Sequence, residues 1–360
     1  MSDLTIEPKP WGDPETFRAL EAASANGLPV RSVALYARWW QLETWLRELL
    51  YVELRARDGR TWVDSVKTAV GRQNQDAAFT HMSSADSANP LAYLDYSQLL
   101  QVIDADWDLF KYALLNKPSW DGRQDELKRI RHRIGHLRRP HPDDLGRLEQ
   151  TLRDLEGGTF VALASYNRER QLTPKQYSNP VTKGWVAGKH PTAMRLIAHA
   201  ERQYDTSFQL TYSLRPWAAP VGEAGPDGRP GAIWKAHFTI GGSRRFNLPG
   251  FWRDLVRTQA EPYLLHALVD GPWSLTCTFA AVDGGEAVAN SIGTVFDCLV
   301  TNARRVDAVM EGDEVAEWNR RAQGLDYRVL VSSGWEIVSN ETLPISLFGA
   351  GGGTTVAPAP

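Results

Sequence analysis

The stretch DELKRIRHRIGHLRRPHPDDL, Asp125–Leu145, predicts two helices joined by a tight corner. Apolar residues recur in its first part at spacings of three and four, which is typical of a helix with one buried face. Arg139 is expected to end this helix, because a residue before proline avoids the helical conformation. Pro142 suits the first turn of a second helix, and the carboxylates of Asp143 and Asp144 suit its positive end. The predicted buried face of the first helix consists of Leu127, Ile130, Ile134 and Leu137.

The second helix carries a buried face of its own and is expected to pack back on the first. The pair Gly157-Gly158 is predicted to end it, since glycine is common just past a helix. The predicted buried residues of this helix are Leu145, Leu148, Leu152 and Leu155.

The residues before this stretch also have a helical pattern. Between residues 32 and 59 the apolar residues follow a period of about 3.6, and Gly59 is expected to end that helix. Tyr93–Leu115 predicts two short helices or one bent helix. The apolar stripe between 32 and 59 consists of Leu35, Trp39, Leu42, Leu46, Leu49 and Leu50.

After Gly158 the pattern changes to short runs rich in β-branched and aromatic residues, bounded by Gly, Pro and Asp. Such runs predict strands. Helical segments are expected between them, near 191–204, 249–268 and 284–310. The predicted strands are TFVALASYN, SFQLTYSLRPW, AIWKAHFTIGG, WSLTCTFAAVD, YRVLVS and WEIVSN.

These patterns predict an α+β fold in two domains. Residues 1–158 are expected to form an all-α helical bundle. Residues 159–348 are expected to form an α+β domain with a mainly antiparallel sheet. The tail at 349–360, rich in Gly, Ala and Pro, is predicted to be disordered because it cannot build a core.

The composition is that of a globular protein, with 42% hydrophobic and 23% charged residues in 360. No run approaches the roughly 20 apolar residues of a membrane helix, and the start lacks the layout of a secretory signal. The two cysteines, Cys277 and Cys298, exclude a disulfide framework and a cysteine-based zinc site. We therefore expect a cytoplasmic protein with no membrane partner.

The net charge of −3 gives no overall attraction for nucleic acid. Any such binding has to come from a local patch, and the segment 121–141 is the strongest candidate. Its basic residues outnumber its acidic residues Asp121, Asp125 and Glu126. The basic side chains are Arg123, Lys128, Arg129, Arg131, Arg133, Arg138 and Arg139.

At about 100° per residue, Arg131, His132 and His136 share one helix face, away from the predicted buried stripe. Gly135 lies between them and lets another molecule approach the backbone. Arginine presents a fork that fits phosphate oxygens, and histidine transfers protons near neutral pH. This face therefore suits metal-free phosphoryl chemistry on RNA, which supplies its own 2′-hydroxyl nucleophile. The alternative is a solvated helix face without function.

The pattern Arg131-His132-x-x-x-His136 resembles the Arg-polar-x(3–5)-His signature of HEPN domains, which are the helical domains of many prokaryotic toxins and defence ribonucleases. The wider string IRHRIGHLRRPHPDDL resembles the Swt1-like and abortive-infection-like branch. The upstream segments LETWLRELLYVEL and YLDYSQLLQVI…DWDLF resemble it as well, so that the similarity covers roughly residues 30–157. His132 stands where this branch usually has Asn, and Gly135 where it usually has Ala. The pair Arg131 and His136 is kept.

The resemblance implies a homodimer with a shared, metal-independent ribonuclease site that needs no cofactor. His136 would act as general acid or base, Arg131 would stabilise the scissile phosphate, and His132 and Arg133 would support them. The expected products are a 2′,3′-cyclic phosphate and a 5′-hydroxyl. The expected partners are RNA, a second copy, and an antitoxin or activating partner. The residues expected to bind RNA are Arg129, Arg138 and Arg139.

A second interpretation is a non-catalytic HEPN scaffold that dimerises and binds RNA or protein, with a sensor or ligand-binding C-terminal domain. In that domain, four basic side chains lie near a Gly-Gly turn. They either touch phosphate or are the ordinary surface charges of a hairpin. These side chains are Lys235, His237, Arg244 and Arg245.

Overall fold

The computed structural model describes residues 14–79, 81, 88–196, 206–241, 244–306, 314–315, 318, 321–322 and 325–331. The first half of the chain is helical, as predicted. Its helices are α1 (Pro14–Ala25), α2 (Val30–Asp58), α3 (Lys67–Ala77), α4 (Tyr96–Ala105), α5 (Trp107–Phe110), α6 (Lys117–Gly135) and α7 (Asp144–Asn167), followed by α8 (Pro180–Trp185) and α9 (Pro191–Arg195).

Helix α2, with 29 residues, lies at the centre of the helical part and contacts α4, α5, α6 and α7. All six residues of its predicted stripe are buried, so this prediction is confirmed. Gly59 follows the helix with a φ of 58°, a left-handed conformation that glycine adopts without strain. The predicted helical segment 93–115 forms two short helices, α4 and α5.

Helix α6 begins after Asn116, whose side chain accepts a hydrogen bond from the amide of Ser119 at 3.1 Å. The helix ends at Gly135, earlier than the predicted end at Arg139. The prediction that Leu137 belongs to the buried face is therefore wrong, and its side chain is 95% exposed. The buried residues of α6 are Trp120, Gln124, Leu127 and Ile130.

Helix α7 continues through the predicted stop at Gly157-Gly158 and ends at Asn167. The strand predicted at 159–167 is therefore wrong. A Cβ atom on Gly158 would lie 2.3 Å from the carbonyl oxygen of Ala113, so glycine at this position permits close packing rather than ending the helix. Residue 158, the predicted domain boundary, falls inside this helix.

The second half of the chain builds a five-stranded sheet and a two-stranded ribbon, and the fold is α+β as predicted. The order in the large sheet is β1-β2-β5-β4-β7, with antiparallel neighbours except for the parallel pair β4 and β7. The strands are β1 (Thr206–Leu214), β2 (Ala232–Ile240), β3 (Arg244–Phe246), β4 (Leu264–Val269), β5 (Ser274–Ala280), β6 (Ala303–Arg305) and β7 (Val329–Val331). Two helices lie between strands, α10 (Leu248–Leu255) and α11 (Gly285–Thr301).

Three predictions in this half need correction. The helix expected at 249–268 ends at Leu255, and the run Leu264–Val269 is a strand whose six residues are all buried. A short apolar run of this kind has no periodicity that separates a strand from a helix. The helix expected at 284–310 ends at Thr301, before β6. The strands on either side of the Gly-Gly turn do not form a hairpin, because β3 pairs with β6.

The predicted strand YRVLVS contains β7, whereas WEIVSN and the tail at 349–360 lie outside the described residues. The end of the helix predicted at 191–204 lies outside them as well.

The five-stranded sheet packs between two layers of helices. Helices α2 and α7 cover one face, where Leu265 and Leu268 of β4 join the buried cluster of the helical part. Helices α8, α10 and α11 cover the other face. The hydroxyl of Tyr51 in α2 donates to the carbonyl of Leu265 at 2.8 Å. The N-terminal helices and the sheet therefore share a core.

Candidate active site

The predicted face of α6 lies at the end of that helix and is open to solvent. Arg131 is half-buried, whereas His132 and His136 are exposed. The two imidazole rings are nearly parallel, with centroids 5.8 Å apart and an interplanar angle of 3°. A Cβ atom on Gly135 would meet nothing within 4 Å. The structure thus brings these residues together around an accessible stretch of backbone.

The end of α6 fixes His136 beside His132. The amide of His136 donates to the carbonyl of His132 at 3.2 Å, and the amide of Arg138 reaches back to the carbonyl of Arg133 at 2.8 Å. Leu137 takes the left-handed conformation that closes this type of helix end, with a φ of 53°. The chain therefore turns sharply away from the helix directly after His136.

Arg133 points to the corner between α6 and α7 and not to the face that carries Arg131, His132 and His136. Its guanidinium donates two hydrogen bonds to the carboxylate of Asp144, with Nε 2.6 Å from Oδ2. The same carboxylate accepts the amide of His141 at 2.9 Å. Burial alone would raise the pKa of Asp144, but hydrogen bonds from Arg133 and His141 outweigh it, and the pKa is lowered. Arg133 therefore stabilises the corner that follows the end of α6.

His141 lies just before α7, whose N-cap residue is Asp143. Its Nδ1 accepts the amide of Asp143 at 3.3 Å, while its own amide bonds to Asp144. From the sequence, Asp144 was expected only to place a favourable charge at the start of α7. Its ion pair with Arg133 was not predicted. An arginine eleven residues earlier is not a recognisable spacing signal, because the contact depends on the angle between the two helices.

Four arginines in and after the second half of α6 have no acidic partner among the described residues. Within the described part of the chain, the side chain of Arg131 has no hydrogen-bond or carboxylate partner, and the same holds for Arg129, Arg138 and Arg139. Their charge is therefore available to an external anion. The other basic residues of the region are paired: Arg123 with Asp154, Lys128 with Asp125, Arg133 with Asp144, and Arg147 with Glu126.

Exposed apolar side chains lie on α2, just before it, and directly after α6. The guanidinium of Arg31 donates to the carbonyl of Pro142 at 3.1 Å, so the start of α2 lies against the corner that follows α6. Helix α1 contains no buried residue. The large exposed apolar side chains of this region are Leu28, Val30, Tyr36, Trp40 and Leu137.

The arrangement can bind an oxyanion and move a proton. Arg131 offers guanidinium donors to phosphate oxygens, and the two imidazoles offer proton transfer at the same helix end. Among the described residues, no group of three or more His, Cys, Asp or Glu side chains is placed to hold a metal ion. No described helix combines the length and apolar character required to cross a membrane.

Comparison with known proteins gives no relative: no family model, no curated protein and no solved structure matches this chain.

Proposed function

We propose that this chain is a metal-independent endoribonuclease of the HEPN class, acting in the cytoplasm in phage defence or as a toxin. The observation that carries the proposal is the open end of α6, where Arg131, His132 and His136 surround Gly135. Arg131 and the nearby Arg129, Arg138 and Arg139 have no acidic partner in the described part of the chain. RNA is the substrate that matches this site, because it supplies both the phosphate and the neighbouring nucleophile.

The proposed reaction is a transfer within the RNA. The 2′-oxygen attacks phosphorus while an imidazole takes its proton, and the bond from phosphorus to the 5′-oxygen breaks as an acid protonates that oxygen. His136 is assigned to proton transfer, and Arg131 to the negative charge that develops on the phosphate. The products are a 2′,3′-cyclic phosphate and a 5′-hydroxyl. Arg129, Arg138 and Arg139 would hold the RNA backbone.

A homodimer fits this chemistry better than a single chain. Two copies would supply two sets of His136 and Arg131, so that base and acid come from opposite sides of the phosphate. The exposed apolar side chains Tyr36 and Trp40 of α2 offer a surface on which two copies would meet.

The direct test is cleavage of labelled RNA by purified protein in EDTA. We expect His136→Ala and Arg131→Ala each to lower the rate about 100-fold or more. Arg253→Ala, which removes an exposed arginine of α10, serves as the control and should cleave like the wild type. Undiminished cleavage by both site variants would remove this assignment.

One observation favours a second function, that of a non-catalytic scaffold. A catalytic imidazole is commonly oriented by a third group, whereas among the described residues neither His132 nor His136 has a side-chain hydrogen bond. A scaffold would bind RNA, an antitoxin or an activating partner without cutting. Expression in cells separates the two, since growth arrest that is relieved by His136→Ala requires cleavage.

A further inference from the structure

The face of the five-stranded sheet that packs against α2 and α7 is polar at its centre. Lys235 of β2 lies between Thr211 of β1 and Thr278 of β5 in the register of the sheet. Two residues before it, Ile233 faces the same side and belongs to the apolar cluster under the helices. A lysine at a position of this kind is unusual, because lysine is almost never fully buried unless it is paired.

The ammonium group of Lys235 is poorly satisfied. The residue is 3% exposed, and Nζ has no hydrogen bond within the described part of the chain. Its nearest carboxylate oxygen belongs to Glu169, 3.9 Å away, and the ring of Tyr166 lies 5.1 Å away. Burial lowers the pKa of Lys235 to about 8. Burying a cation with so weak a partner is costly, and an anion bound beside it would offset this cost.

The hydroxyl groups of β1 next to Lys235 are also unsatisfied. The Oγ1 of Thr211, directly across from Lys235, and the Oγ of Ser213 are buried and have no hydrogen-bond partner among the described residues. By contrast, the hydroxyl of Thr278 on the opposite strand is used, since it bonds to Tyr166 and to the amide of His266. The unsatisfied donors therefore cluster on one side of the ammonium group.

His237 extends this polar strip towards solvent. It lies between Gln209, which is exposed, and Thr276, whose hydroxyl is 2.7 Å from Nδ1. When that hydroxyl donates to Nδ1, the ring proton lies on Nε2 and can be given to a ligand. The half-buried residues His237 and Thr276 thus connect Lys235 to the surface at Gln209.

We propose that Lys235, Thr211 and His237 form a binding site for a small oxyanion, the carboxylate or phosphate group of a small molecule. The ammonium supplies the charge, and the threonine hydroxyl and the imidazole supply directed hydrogen bonds. Glu169, at the rim, is the counter-ion that the ligand displaces. The site does not depend on the proposed ribonuclease activity.

The first test is reductive methylation of the native protein with formaldehyde and a borane, followed by mass spectrometry. Chloride, acetate and phosphate are compared at equal ionic strength and neutral pH. A bound anion should slow the labelling of Lys235 about tenfold at ten times its Kd, while the exposed Lys183 of α8 is labelled equally in all three salts.

Protection by phosphate alone assigns a phosphate ligand, and protection by acetate assigns a carboxylate. Equal labelling of Lys235 in the three salts would overturn the proposal. So would a Lys235 that is labelled only after denaturation, because no ligand could then reach it.

The second test uses variants. Lys235→Met removes the buried charge at similar volume, and Thr211→Val removes one hydroxyl at the same shape. The saturable rise of Tm with the protecting anion should vanish in Lys235→Met, shrink in Thr211→Val and persist in Lys183→Met. A rise that is unchanged in Lys235→Met reports an anion bound elsewhere and contradicts the site.

Discussion

Leu137 has a backbone conformation that is unfavourable for a residue with a side chain. It is the one non-glycine residue of the described chain with a positive φ, and an L side chain in the left-handed region costs about 1–2 kcal/mol. Its side chain is 95% exposed, so burial within the chain does not offset this cost. Strain of this kind often marks a functional site, and here it lies directly after His136.

We expect Leu137→Gly to stabilise the monomeric fold by about 0.5–1 kcal/mol, the left-handed strain relieved less the entropy that glycine loses on folding. The free energy of unfolding from urea titration measures this. Leu137→Ala is the control, because it removes the side chain and keeps the strained backbone. A Gly variant that is less stable than the Ala variant by about 0.5–1 kcal/mol would mean that the backbone at Leu137 is not strained.

The sequence predicted the exposed face of α6 but did not predict where this helix ends. Arg131, His132 and His136 share a face simply because of helical periodicity, which holds as far as Gly135. The predicted burial of Leu137 was wrong because residue preferences give no signal for a helix that ends with leucine in the left-handed conformation. The preferences favour glycine there.

The corner between α6 and α7 is held by one ion pair. The carboxylate of Asp144, with 2% of its side chain exposed, receives Arg133 and the amide of His141. Because the pKa of Asp144 is lowered in the folded state, its contribution is complete above the unfolded pKa of about 4 and is lost as the pH falls through the lower, folded value.

We therefore expect Asp144→Asn to destabilise the protein by about 2 kcal/mol at neutral pH, since charge-assisted hydrogen bonds are lost. The difference from the wild type should stay constant down to about pH 5 and shrink below about pH 4. Urea titrations of both proteins across this range measure it. Asp143→Asn, at the exposed neighbouring carboxylate, is the control and should change little. A difference that does not depend on pH would mean that the charge of Asp144 is not what stabilises the corner.

Prediction of the elements failed where tertiary contacts decided the outcome. Helix α7 continues through Gly157-Gly158 because Gly158 packs against the backbone of Ala113, a contact between distant segments. Strand β4 resembled the end of a helix because all of its residues are buried and its apolar run lacks alternation. The buried stripe of α2 was predicted correctly because it recurs at helical spacing, although every residue of α2 from Leu49 to Ala56 is buried as well.

The packing of the sheet on the helical part was beyond prediction from one sequence. The buried carboxylate of Glu53 accepts hydrogen bonds from Arg215 and from the indole of Trp217, more than 160 residues along the chain. Tyr51 similarly bonds to β4. A single sequence contains no signal for which distant segments meet, so the predicted two domains did not reveal a shared core.

The proposed homodimer would meet through the exposed side of α2. Tyr36 and Trp40 are four residues apart on the exposed side of α2, and Arg31 ties the start of this helix to the corner after His136.

We expect Trp40→Glu to weaken dimerisation about 30-fold or more, because buried tryptophans are typical interface hot spots worth 2 kcal/mol or more. RNA cleavage should fall with the dimer fraction, and sedimentation over a range of concentrations measures that fraction. Trp273→Glu is the matched control, since Trp273 is similarly exposed but lies at the sheet beside Arg245. A wild-type protein that is active as a monomer, or a Trp40→Glu dimer as stable as the wild type, would remove α2 from the interface.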